Sequence, residues 1–250
     1  GKLESVPLQN ATATLRKDEW KVLDDAIVLA AKERLRAVAD LRSAGLTFTI
    51  PNGMGKTVLE TETMSDITPA IVSMDPARQS EGDRPEFELS NLPLPVIHKD
   101  FYFNARQVAT SRNSGAGIDT STAQAAARRV SEEAEKLVIG TGGSISYGGG
   151  SVYGMTNFPG RITSAGLTDP TDVGWTPAVL VREILAMRQA SENAMHYGPW
   201  ILYTSPFWDL YLDDDYSAAK GDNTLRQRIA AINGVRDIRT LDHLTGQQMI

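Results

Sequence analysis

Residues 117–140 read GIDTSTAQAAARRVSEEAEKLVIG, and their reading decides how the rest of the chain is parsed. Asp119, Thr120 and Ser121 offer side-chain oxygens suited to a helix N-cap. Ala123, Ala126, Ala127, Val130, Ala134, Leu137 and Val138 then recur at three- and four-residue steps, and Gly140 follows where a C-cap belongs. The spacing predicts one helix over 119–139. About 20 residues rising roughly 1.5 Å each make a rod near 30 Å long. Its face of small residues lets a helix or a sheet approach closely, which suits a spine holding a flat subunit together.

Downstream, GTGGSISYGGGSVYGM (140–155) is a glycine cluster. It follows a helix, whereas a phosphate or dinucleotide loop follows a strand and opens a helix. The G-x-G-x-x-G spacing also fails, because Ile145 stands at the third position counted from Gly140. A crowded turn that glycine alone can make explains the cluster better. The last third then reads as a compact α/β unit. Thr176-Pro177 opens a helix carrying Val179, Leu180, Ile184, Met187 and Ala194 towards Gly198. Residues 200–203 form a buried-type strand, Ser205-Pro206 starts a short helix, Leu225–Ile232 is another helix stopped by Gly234, and Val235–Leu241 alternates as a strand.

Upstream, the apolar period changes to two between 46 and about 104. Leu46, Phe48 and Ile50 alternate with polar residues, 58–63 and 87–89 follow, and then Val96-Ile97 and Phe101-Tyr102-Phe103. The turn-rich stretches PNGMG (51–55) and DPARQSEGDRP (75–85) separate them. Residues 51–90 are thus extended, polar and poor in large aliphatics. A two-stranded ribbon of this kind is marginal in water alone. It must lean either on its own domain or on a neighbour. Before it, Trp20, Leu23, Ile27, Ala30, Ala31, Leu35, Val38 and Leu41 predict one long amphipathic helix over 16–43, preceded by a polar leader (1–14).

Bulk composition narrows the function classes. The 250 residues are 41% hydrophobic and 22% charged, ordinary for a globular protein. The chain opens on Gly1, and its first residues lack the basic-then-apolar layout of a secretory signal. No apolar run approaches a membrane span. Cysteine is absent, so disulfides, thiolate zinc sites and cysteine nucleophiles are excluded. A net charge of −6 argues against a dedicated nucleic-acid binder, though not against a container that encloses nucleic acid without gripping it.

Catalytic signatures find no footing. NGMGKT (52–57) lacks the first glycine of a phosphate loop, since Ile50 occupies that place, and reads as a hairpin turn with a solvated Lys56. No serine sits in a G-x-S-x-G elbow. His98, His196 and His243 are far apart, without the i,i+4 spacing of a zinc-protease helix. Asp213-Asp214-Asp215, with Asp209 upstream, is the best metal candidate, yet Ala218 stands where a calcium loop needs glycine. No catalytic, cofactor-binding or metal-binding residue is therefore assigned.

The order of elements resembles a known family. LPLPVIHKDFYFNARQ (92–107), the helix of 117–140 and GGGSVYGMTN (148–157) are similar to the core signature of tailed-bacteriophage major capsid proteins with the Hong Kong 97-type fold. YGPWILYTSPFWDLYLDDDY (197–216) with LRQRIAAINGVRDIRTLD (225–242) resembles the axial domain of that family. The resemblance implies an α+β fold in four parts. These are an N-terminal arm and helix (1–45), an extended β-hairpin loop (46–92), a peripheral domain (93–175) with a spine helix at 119–139, and an α/β axial domain (176–250). Family members continue past the position of Met249-Ile250, so the C-terminal strands that complete the sheet are expected to be missing here.

The function so implied is structural: a major capsid protein that self-assembles into an icosahedral shell around phage DNA, without enzymatic activity. Its partners would be many copies of itself in pentamers and hexamers, with portal, scaffold or decoration proteins. It would hold double-stranded DNA without sequence-specific contacts, use no cofactor and touch no membrane. The shell would be assembled in the host cytoplasm and found in the virion. Some family members crosslink a lysine of the extended loop to a neighbour's asparagine, and Lys56 is placed for that. An encapsulin, a nanocompartment of the same fold enclosing a cargo enzyme, is the alternative, since the helix carrying Trp20 resembles the lumen-lining helix of that family. A ligand-binding α/β enzyme using the 140–155 loop is the reading from another class.

Overall fold

A computed structural model describes residues 15–72, 74, 84–114, 119–164, 166–216 and 223–250. The expected N-terminal leader and most of the 75–85 turn lie outside the described residues. The architecture is mixed α+β, with long helices and, among the described residues, three separate two-stranded sheets.

The helix expected over 16–43 is two helices. Helix α1 runs Lys17–Arg34 and α2 runs Arg36–Ser43, with Leu35 (φ −91°, ψ 72°) outside the helical region between them. The apolar period continues across the break, which is why sequence spacing reads straight through it. Helix α1 packs along the long helix α4 (Ser121–Ile139). Leu23 on α1 and Ala123 on α4 are completely buried, and Ala126 is nearly so. Small side chains on α4 thus let a helix lie close. At its start the Asp119 carboxylate accepts from the Ser121 N–H (2.9 Å), and that bond holds the Asp119 carboxyl below its usual range. Gly140, at φ 100°, ends it.

Between the break and α4 the chain makes the ribbon and then α3 (Ala105–Ser114). Strand β1 (Val58–Met64) pairs antiparallel with β2 (Phe87–Pro93). No strand forms over 46–50 or 94–104. Leu46, Phe48, Val96 and Tyr102 are exposed while Ile50, Ile97, Phe101 and Phe103 are half-buried, so a period of two there marks extended chain without a ladder partner. Helix α3 escapes sequence reading because it buries a single side chain, Val108, and its apolar stripe is too thin to register. It is tied to α1 by Arg112, whose guanidinium donates to both Glu19 oxygens at 2.9 and 2.8 Å.

The C-terminal unit is built on a parallel pair, β5 (Trp200–Thr204) and β6 (Val235–Thr240), joined through α6 (Asp209–Leu212) and α7 (Leu225–Ala230). Side chains alternate across β5. Leu202 faces a core of Leu180, Val181 and Ile184 from α5 (Pro177–Asn193) with Trp208, Leu212, Leu225 and Ile229. Tyr203 faces a second core with Ala37 of α2, Ile139 of α4, Leu241 and Leu244. Two strands are therefore stabilised from both sides. Helix α5 stops at Asn193 rather than near Gly198, because Met195 adopts φ 64° and turns the chain. On the other edge of β5 the Tyr203 and Ile250 backbones exchange hydrogen bonds at 2.8 and 2.9 Å.

Candidate assembly surface

The ribbon has two chemically different faces, fixed by its register. Val58 lies opposite Pro93, Glu60 opposite Asn91, Glu62 opposite Leu89 and Met64 opposite Phe87, all on one face. Leu59, Thr61 and Thr63 with Leu92, Ser90 and Glu88 occupy the other. On that second face the Thr61 and Thr63 hydroxyls donate to the Ser90 and Glu88 carbonyls, each at 3.2 Å. Beyond the Leu59–Leu92 pair it is a polar face whose hydroxyls bond across the ribbon.

The first face changes character along its length. At its base it rests on the hairpin of β3 (Ile145–Tyr147) and β4 (Gly150–Val152). There the Asn91 amide donates to the Gly148 carbonyl (3.0 Å), and Pro93 is buried. A Cβ on Gly150 would stand 1.7 Å from the Asn91 carbonyl oxygen, so only glycine allows this seat. Further out the same face continues as Met64, Phe87 and Leu89, each about 60% exposed. Ile67 and Ile71, beyond the strand, are equally exposed. Beyond the seat this face therefore carries Leu89, Phe87 and Met64 beside the exposed Glu60 and Glu62, an amphipathic strip that is largely solvent-facing among the described residues.

Other apolar side chains are also uncovered. Trp20, Val22, Val28 and Leu29 project from α1 and Tyr102 from the segment before α3; Met195, Tyr197 and Leu210 do so in the C-terminal unit. The accessible surface of the chain is 18252 Å², whereas a compact monomer of this mass exposes about 11,000 Å².

Features singled out for chemistry are dispersed. The 140–155 glycines serve the ribbon seat and the turn after α4. At that turn a Cβ on Gly154 would lie 2.3 Å from the Gly140 nitrogen. Lys56 is exposed just beyond a short 3-10 turn (Gly53–Gly55). In the acidic run, Arg226 donates to Asp213 (2.8 Å) and to Asp209 (3.0 Å), and Thr240 also donates to Asp209 (2.6 Å). Asp209 and Asp213 are thus engaged in joining α6, α7 and β6, while Asp214 accepts from the Asp215 N–H at 2.9 Å. Among the described residues no group of three or more acidic or histidine side chains is placed to hold a metal ion. No described helix is long and apolar enough to cross a membrane.

Comparison with known proteins gives two findings. The family described as a family of unknown function, DUF6260, matches residues 10–250. The chain is also similar to the type 1 encapsulin shell protein EncA of Myxococcus xanthus (strain DK1622), at 24% identity over 204 residues. That alignment takes in 80% of this chain and 64% of the relative, so the chain spans about two thirds or less of that protein's length.

Proposed function

The chain belongs to the DUF6260 family, and from that premise we propose that it is a structural, non-enzymatic shell subunit that assembles with many copies of itself. The observation that carries this reading is the ribbon, one face of which is seated on its own domain at the base and exposes Leu89, Phe87 and Met64 beyond it. A sister subunit supplies the missing support, and repetition of that contact under closed symmetry gives a container. Similarity to an encapsulin shell protein supports the same conclusion from another direction. The order of ribbon, long helix, glycine hairpin and α/β unit fits a subunit of the Hong Kong 97 type.

For the contents, the resemblance of 92–157 to phage capsid proteins favours a capsid around double-stranded DNA, formed in the host cytoplasm and carried in the virion. A protein-filled nanocompartment is the second reading, favoured by the curated relative and by the exposed Trp20 on α1. Electron microscopy of the full-length product tests the shell: closed particles of uniform size are expected, and small soluble oligomers at every concentration would overturn it. Nuclease-protected DNA in purified particles selects the capsid, whereas a stoichiometric protein guest without DNA selects the compartment.

A further inference from the structure

The break between α1 and α2 is rejoined by a carboxylate from a distant element. The first backbone N–H groups of any helix lack an intrahelical acceptor. At the start of α2 those of Ala37 and Val38 donate to the two oxygens of Glu135, at 2.5 and 3.4 Å. Glu135 lies on α4 and is 3% exposed. The ion pairs along α4 use Glu132 and Glu133, so the Glu135 charge faces the positive end of the α2 dipole instead.

One turn on, Asp40 is 5% exposed and accepts hydrogen bonds from the Tyr203 hydroxyl of β5 (3.1 Å) and from Arg239 of β6. Burial, reinforced by the Asp40 charge, pushes the Tyr203 hydroxyl up to about 12, so it remains a donor at any ordinary pH. Helix α2 thus holds α4 with its N-terminus and the sheet with its next turn. At eight residues it is too short to persist alone. Its fully buried apolar contribution is Ala37, in contrast to the large side chains that lock α5 onto β5. Its docking therefore depends on directional polar bonds that vanish together once the helix moves.

We propose that α2 is a releasable latch: docked through Glu135 and Asp40 it covers the seam where Ile139 of α4 meets the C-terminal α/β unit, and undocked it exposes that seam while both sides stay folded. Such local opening below the global unfolding threshold is the general behaviour of sparsely packed elements. Because α1 leads into α2 across one residue, any contact that pulls on α1 acts on the latch. The device holds for the isolated subunit and does not depend on what it assembles into.

The absence of cysteine makes the test direct. Ala37→Cys places a thiol at a fully buried point under the latch, and Val181→Cys places one in the α/β core. Thiol labelling of the full chain under native conditions is then compared with and without Glu135→Gln or Asp40→Asn. Labelling at residue 37 should rise about tenfold or more while labelling at residue 181 is unchanged. A parallel rise at both sites would mean general destabilisation and would overturn the latch, as would no rise at either. Should Ala37→Cys fail to fold, hydrogen exchange of the α2 amides in Glu135→Gln reads the same release with the same two outcomes.

Discussion

Gly150 is where the smallest change has a large structural reach. A methyl group there would collide with the Asn91 backbone carbonyl, which cannot swing aside as a flexible side chain could. Gly150→Ala is expected to cost about 1–3 kcal/mol and to unseat the ribbon base, read as faster hydrogen exchange across 87–93. Gly166→Ala, where a Cβ meets nothing within 4 Å, should stay within about 0.5 kcal/mol and serves as control. Glu19 gives a pH signature. Its hydrogen bonds to Arg112, and then to the Arg16 N–H, lower its pKa from 4.5 to about 2. A depressed carboxylate stabilises the folded state above its unfolded pKa and loses that contribution as pH falls through the folded one. Contact between α1 and α3 should therefore loosen as pH falls from about 4.5 towards 2, seen as rising exchange in α3, and Arg112→Gln should abolish that dependence.

The ribbon makes its own prediction as an element. Phe87→Ser with Leu89→Ser changes side chains that touch little within the chain, so the subunit's melting midpoint should hold within about 0.5 kcal/mol of stability. Assembly should nevertheless fail, leaving soluble subunits by light scattering. The ribbon was legible before the structure, since its polar, two-residue period allows little else, and so were the alanine face of α4 and the glycine turn after it. The break at Leu35 was not, because the group that stabilises it, Glu135, lies 98 residues from Ala37. Helix α3 was missed for the opposite reason: it is held by a side-chain ion pair to Glu19 rather than by an apolar stripe. As for the candidate surface, sequence showed that the ribbon needs support, but not that its supported and bare parts share one face. That follows only from the register.

For the whole molecule, the largest cluster of fully buried side chains lies in the C-terminal unit. Leu180→Ala removes a fully buried side chain from the core around Trp208 and should cost about 2–5 kcal/mol, visible as a lowered thermal midpoint even in unassembled subunits. Wild-type chain, in contrast, should melt higher as its concentration rises, because partners that bind only folded subunits add to stability by mass action. The two-sided ribbon also has a consequence for engineering and for sequence drift. Side chains of a strand flip sides with each step, so one residue added within Val58–Met64 would invert everything beyond it, turning grease to where hydroxyls belong. Two added residues would restore parity. Parity is thus the constraint that any change of length within either strand must respect.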